Sequence, residues 1–247
     1  MEIKTYLDAT YLKLPEQAGL TADENQEVVK NFIQETIDYG FKLVMIRPNQ
    51  VAIAKEMITH AQSKVLVGTV IGFHEGTNTI EEKLQEAQQA IADGADELDF
   101  VCNYQAFIKG DLTLVKNEVL LGTKLALDHH KTVKWIIEVA ALNPLQIVQL
   151  TVLIKNVVLA NFKENQYHEV FVKSSTGFFK TKNNLPNGAT VDSITLMLEN
   201  ACPLPVKAAG GVRNLEEAMQ MIKLGVKRIG TSAAKDIVLG IENKQGY

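Results

Sequence analysis

Two lysines and an aspartate stand where strands should be dry. Lys173 closes the apolar run Val170-Phe171-Val172 and is followed by Ser174-Ser175-Thr176-Gly177. Lys207 interrupts Pro205-Val206-Lys207-Ala208-Ala209, just ahead of Gly210-Gly211. Asp99 sits between Leu98 and Phe100 in Glu97-Leu98-Asp99-Phe100-Val101. A lysine at the end of an apolar strand is partly desolvated, which lowers its pKa and frees the neutral amine needed to attack a carbonyl. A second lysine on a neighbouring strand would disfavour protonation of the first. A carboxylate inside a strand must be paired, and it can also pass a proton. The bland alternatives are rim lysines whose stems pack while their ammonium groups reach water, and a salt bridge that only satisfies buried charge. Glu138, in Trp135-Ile136-Ile137-Glu138-Val139, is a second embedded carboxylate, read here as support. Asp8 and Lys13 flank the end of the first apolar segment and are candidates for the edge of a cleft.

Small-residue turns follow the same segments. Gly210-Gly211 precedes a helix start at Asn214, and Gly230-Thr231-Ser232-Ala233-Ala234 follows the last apolar run. Glycines let backbone N–H groups approach an anion, and a following helix dipole favours negative charge. Gly210, Gly211, Thr231 and Ser232 are therefore candidate phosphate binders, with Thr176 and Gly177 adding a hydroxyl and an amide. No cofactor or metal is implied. The histidines and carboxylates form no zinc-ligand pattern, and Gly72–Gly76 lacks the Gly-Lys-Ser/Thr close of a nucleotide loop.

The elements that would carry these residues alternate. Apolar or β-branched segments recur at Thr5–Thr10, Phe41–Ile46, Lys64–Ile71, Glu97–Cys102, Val133–Ala140, Glu169–Ser174, Pro205–Ala208 and Arg228–Thr231. Helical patterns lie between them. Thr21 with Glu24 and Thr79 with Glu82 read as capping boxes, Asn143-Pro144 as a helix start, and Gly40, Gly94 and Gly225 as stops. The segment 111–131 reads as one broken helix or two short ones. Near-continuous apolar strands alternating with helices predict parallel βα units. Eight of them in 247 residues predict a single-domain α/β protein, a (β/α)8 TIM barrel over residues 1–247, with a short N-terminal extension and a flexible C-terminal tail. An open doubly wound sheet would need a Gly-rich dinucleotide loop after an early strand; Tyr11-Leu12-Lys13-Leu14-Pro15 stands there instead.

Composition narrows the partners. A net charge of −4 without a long basic stripe argues against nucleic acid. Apolar runs such as Val65–Phe73 are too short to span a bilayer, and Met1-Glu2-Ile3-Lys4 does not open a signal peptide, so no membrane partner is expected. Cys102 and Cys202 allow at most one bridge, and a cytoplasmic protein with reduced thiols is expected.

With these segments in view, the chain resembles the deoxyribose-phosphate aldolases, metal-independent class I aldolases, over essentially its whole length. The resemblance is carried by Leu7-Asp8-Ala9-Thr10, Gly68-Thr69-Val70-Ile71-Gly72-Phe73, Gly94-Ala95-Asp96-Glu97-Leu98-Asp99, Phe171-Val172-Lys173-Ser174-Ser175-Thr176-Gly177-Phe178, Lys207-Ala208-Ala209-Gly210-Gly211-Val212-Arg213 and Arg228-Ile229-Gly230-Thr231-Ser232. It implies reversible cleavage of 2-deoxy-D-ribose 5-phosphate to D-glyceraldehyde 3-phosphate and acetaldehyde. It further implies Lys173 as the Schiff-base lysine, Lys207 as its neighbouring cation and Asp99 as the carboxylate of the proton relay. Phosphate would rest on Gly210, Gly211 and the Ser232 loop, with Asp8 near the substrate entrance or its hydroxyl network. A phosphorylated sugar and aldehydes would be the small-molecule partners, and a homodimer is a family expectation. Several positions depart from the family: Met45 for a frequent cysteine, His74-Glu75 after Gly-Phe, Val139 for threonine and Ala233 for a second serine. Tyr247 matches a mobile C-terminal tyrosine that some relatives use in proton transfer. A lysine aldolase of different donor specificity, a phosphate-sugar isomerase and a noncatalytic phosphate-binding barrel remain the alternatives.

Overall fold

The computed structural model describes residues 2–182 and 185–241. Eight parallel strands close into one barrel in sequence order. They are β1 (Leu7–Thr10), β2 (Leu43–Ile46), β3 (Leu66–Ile71), β4 (Glu97–Val101), β5 (Thr132–Ile136), β6 (Val170–Lys173), β7 (Val206–Ala209) and β8 (Arg228–Thr231). Parallel pairing of β1 with β8 completes the ring, with Asp8 opposite Gly230.

Around it lie α1 (Pro15–Ala18), α2 (Ala22–Tyr39), α3 (Val51–His60), α4 (Ile80–Ala92) and α5 (Tyr104–Ile108). The remaining helices are α6 (Leu112–Asp128), α7 (Pro144–Asn161), α8 (Val191–Ala201), α9 (Leu215–Leu224) and α10 (Ala234–Leu239). The anticipated caps form: the Thr21 and Thr79 side chains accept from Glu24 N and Glu82 N, and Asn143 and Asn214 cap α7 and α9. Gly40 ends α2 in the left-handed conformation, where a Cβ would be unfavourable. α7 is apolar and long enough to cross a membrane, with a mean hydropathy of 1.3, yet here it packs on the barrel and buries Ile147, Leu150, Ile154 and Val158.

Two segments depart from the sequence expectation by more than a residue or two at an element's end. The strand expected over Val133–Ala140 stops at Ile136, because Glu138 adopts a positive φ of 55° and starts a 3-10 turn at Val139–Ala141. That conformation breaks the β ladder and moves Glu138 from strand interior to barrel mouth. The segment 111–131 carries one unbroken helix, α6, capped by the Asp111 side chain. A capped run of apolar residues sustained it despite Gly122, whose missing Cβ makes room for Trp135.

The barrel interior is divided. On the β2–β3 side, Leu12, Leu43, Met45 and Val70 make a buried apolar cluster, with Phe73 and Phe178 against it. Gly68 leaves the space they fill: a Cβ there would lie 2.7 Å from Met45 Cε and 2.8 Å from Leu43 Cδ2. The other strands fill the interior with charge.

Candidate active site

Asp8 comes from β1, Glu97 and Asp99 from β4, Lys134 from β5, Lys173 from β6, Lys207 from β7 and Arg228 from β8. All are buried. Strand register alone brings several into line: Asp99 pairs with Lys134, and Lys173 with Lys207. Inward-facing positions at equal height on neighbouring strands must meet.

Asp99 is the hub. Its Oδ2 accepts from Lys173 Nζ and from Lys207 Nζ, each at 2.8 Å, and its Oδ1 accepts from Lys134 Nζ at 2.7 Å. Lys207 also contacts Asp8 Oδ2 at 2.6 Å, and Lys134 contacts Glu97. Arg228 ties the far end, donating from Nε to Asp8 at 2.7 Å and from Nη1 to Glu97 at 2.9 Å.

The charges do not balance. Asp8, Glu97 and Asp99 supply three anions, whereas Lys134, Lys173, Lys207 and Arg228 supply four bases. One base must be in excess, and in a dry interior the excess charge is costly. Lys173 is that base. Its pKa is pushed down to about 8, chiefly by burial; Asp99 resists the shift, while Lys207 and Lys134 add to it. At pH 7 a pKa of about 8 leaves roughly a tenth of the amines neutral, about 300-fold more than the ordinary lysine value would. Burial opposes ionisation of Asp99, but Lys134, Lys173 and Lys207 outweigh it and hold the carboxyl well below its ordinary value. Asp99 is thus an anion at neutral pH.

Above the cluster opens a pocket. Lys173 lines it together with Thr176, Gly177, Gly210, Gly211, Thr231 and Ser232, the small residues singled out in the sequence. Gly210 and Gly211 both have positive φ, 82° and 84°, a backbone conformation that side-chain-bearing residues disfavour. They lead into α9, whose N-terminus favours an anion. Arg213 lines the same pocket. The Thr231 hydroxyl is committed to Val212 O at 2.7 Å and accepts from Ala233 N.

Asp8, expected near the substrate entrance or its hydroxyl network, is fully buried beside Arg228 and Lys207 rather than at the entrance, and its pKa is lowered: burial acts upward, but Arg228 and Lys207 prevail. Its place on β1 is below the mouth, where a strand residue facing the axis meets Arg228 on the neighbouring strand. Tyr247 lies outside the described residues.

Sequence reasoning passed over Lys134, which offers the signal that exposed Lys173 and Lys207, a lysine in the dry run Val133-Lys134-Trp135. Arg228 and Glu97 give a weaker signal, since the charged Lys227 and Asp96 immediately precede them. Asn187 also lines the pocket and donates to Gly177 O at 3.0 Å. It lies in the long irregular connection between β6 and α8, where no periodicity marks it. A larger cleft of about 890 Å³ runs between α5, α6 and α7, but its only charged lining residue is Lys116, and it offers no nucleophile with a partner.

A closed β/α barrel with a desolvated amine beneath an anion-favouring rim is an architecture suited to carbon–carbon lyase chemistry. The chain belongs to the DeoC/LacD family of aldolases, whose family model matches residues 15–240. It is 37% identical to the deoxyribose-phosphate aldolase of Thermococcus gammatolerans over 99% of both chains. It is likewise 37% identical to deoxyribose-phosphate aldolase 1 of Staphylococcus aureus strain MSSA476 over the full length of both. The solved structure of the tetrameric deoxyribose phosphate aldolase from Aeropyrum pernix superposes with a TM-score of 0.77 at 27% identity, covering 96% of this chain and 89% of that one.

Proposed function

We propose that this protein is a deoxyribose-phosphate aldolase that cleaves 2-deoxy-D-ribose 5-phosphate reversibly into D-glyceraldehyde 3-phosphate and acetaldehyde. The observation that carries the reading is the surplus base: an amine with a pKa of about 8, buried beside Asp99 and Lys207, in a pocket whose rim favours phosphate. Full-length relatives with that name support the substrate.

The neutral Lys173 amine attacks the sugar aldehyde carbon, and loss of water from the adduct gives a protonated imine. The iminium withdraws electrons, so the bond between the second and third carbons breaks and its electron pair forms an enamine. The proton leaving the third-carbon hydroxyl passes to a water held by Asp99 and Lys207. Glyceraldehyde 3-phosphate departs, the enamine is protonated at carbon, and hydrolysis returns acetaldehyde and the amine. Asp99, ionised throughout, anchors Lys207 and stabilises positive charge on nitrogen. Gly210, Gly211, Ser232 and Arg213 hold the phosphate away from the breaking bond, so binding energy there orients the reacting carbons. Thr176 and Gly177 complete the rim. Cys102 and Cys202 are free thiols, in keeping with a reducing, cytoplasmic setting.

Borohydride reduction in the presence of acetaldehyde tests the chemistry. It should add an ethyl group to Lys173 and inactivate the protein, and peptide mass mapping reads the site. Turnover without any adduct at Lys173 would reject the imine mechanism.

A further inference from the structure

Five buried carboxyl side chains occur among the described residues: Asp8, Glu97, Asp99, Glu118 and Glu138. Four are ion-paired. Asp8, Glu97 and Asp99 belong to the barrel cluster, and Glu118 meets Lys83 at 2.7 Å. Glu138 is 1% exposed and has no ion pair, and its Oε1 makes no hydrogen bond. Its Oε2 accepts from Thr176 N at 3.2 Å and bonds to the Thr176 hydroxyl. Its neighbours hold the same turn: Ile137 N donates to Lys173 O and Val139 N to Ser174 O. The positive φ of Glu138 is unfavourable for a side-chain-bearing residue and persists only where surroundings enforce it.

We propose that Glu138 is held as an uncharged carboxylic acid and is the positioning residue of Lys173, fixing the turn that follows the lysine without placing an anion beside its amine. Isolated burial without a counter-ion disfavours the carboxylate. A proton on Oε1 would make that atom a donor toward the Ser175 hydroxyl, which faces Glu138 and likewise lacks a partner, leaving Oε2 as a carbonyl that accepts twice from Thr176. Burial raises the Glu138 pKa and outweighs the hydrogen bonds from Thr176, the nearby Ser175 hydroxyl and the charge of Lys173, which oppose it. The groups facing it are Lys173 of β6, Tyr104 of α5 and the Ser175 and Thr176 hydroxyls of the β6–α8 turn. An anion at this place would favour the ammonium form of Lys173 and remove nucleophile. The neutral acid gives the same hydrogen bonds without that effect.

The inference rests on the aldolase reading for what Lys173 does, but the protonation state of Glu138 is measured separately. Infrared difference spectra at pH 7 should show a protonated-carboxyl stretch in the wild type and in K173A, absent in E138Q. E138A should lower kcat by about tenfold or more, with E138Q restoring most of that loss. The acidic limb of the E138Q pH–rate profile should coincide with that of the wild type. A missing carboxyl band overturns the proposal, as does an acidic limb displaced downward in E138Q, since that would mean an anion had been removed. A failure of borohydride trapping with the band intact would overturn the assignment of Lys173 and with it the positioning role, leaving the neutral acid.

Discussion

Lys173 is kept in a state that costs stability. Its folded pKa, about 8, lies below the ordinary value of 10.5, so the unfolded chain binds its proton more tightly. Wild-type stability attributable to this residue is therefore present above about pH 10.5 and lost as pH falls through about 8. At neutral pH the deficit is about 3 kcal/mol. Lys173→Leu should abolish turnover yet be more stable than wild type at pH 7 by a few kcal/mol, with the gain shrinking toward pH 10.5, as urea unfolding at both pH values would read. Lys207→Leu acts on the same amine with the opposite sign. Removing a neighbouring cation that also competes for Asp99 should raise the Lys173 pKa, move the acidic limb of the pH–rate profile upward and slow turnover by about 100-fold or more. An unmoved limb would remove Lys207 from that role. At this scale the sequence was readable because charge in a dry strand has few explanations. It showed Lys173, Lys207 and Asp99, and would have shown Lys134 by the same test. What it could not show was the count, because three anions against four bases emerges only when strand register brings Asp8 and Arg228 into one cluster.

Strands, caps and stops were legible wherever periodicity ran beyond a turn, as at Thr21–Gly40 and Thr79–Gly94. The end of β5 was not, because one residue with positive φ overrides an apolar pattern that continues to Ala140. The connection from β6 to α8 was equally opaque: it has no period, yet it supplies Thr176, Gly177 and Asn187 to the pocket. It also packs backbone to backbone on the anion rim. A Cβ at Gly188 would lie 2.4 Å from Gly210 O and 2.5 Å from Gly210 Cα, contacts that cannot be relieved by rotating a side chain. Gly188→Ala should therefore displace Gly210. KM for the phosphorylated sugar should rise by about tenfold, while the rate of borohydride trapping with acetaldehyde, which has no phosphate, changes little. An equal loss in both assays would mean that the substitution disturbs Lys173 rather than the rim.

Across the whole molecule, the cluster joins six of the eight strands. Arg228 bonded to Asp8 spans the β8–β1 junction where the ring closes. Asp8 and Asp99 both have folded pKa values below the ordinary 3.8. Their stabilising contribution is complete above that value and is lost as pH falls through the lower folded values. Stability should thus decline steeply with acidification below about pH 4. Asp99→Asn should be less stable at neutral pH by about 3–5 kcal/mol, since it strips three amines of their shared partner, and its stability should fall less steeply in acid. Parallel acid titrations of the two proteins by circular dichroism would test both statements. The surplus base has a last consequence for the proposed reaction itself. With the Lys173 amine neutral, the barrel interior is electrically even; a protonated imine on the same nitrogen makes the tally odd, with four cations facing three anions. Parity returns when the nitrogen gives up its proton or when the cation is discharged through carbon, by loss of the neighbouring C–H proton or the C–C bond, and of these only the second carries the reaction forward.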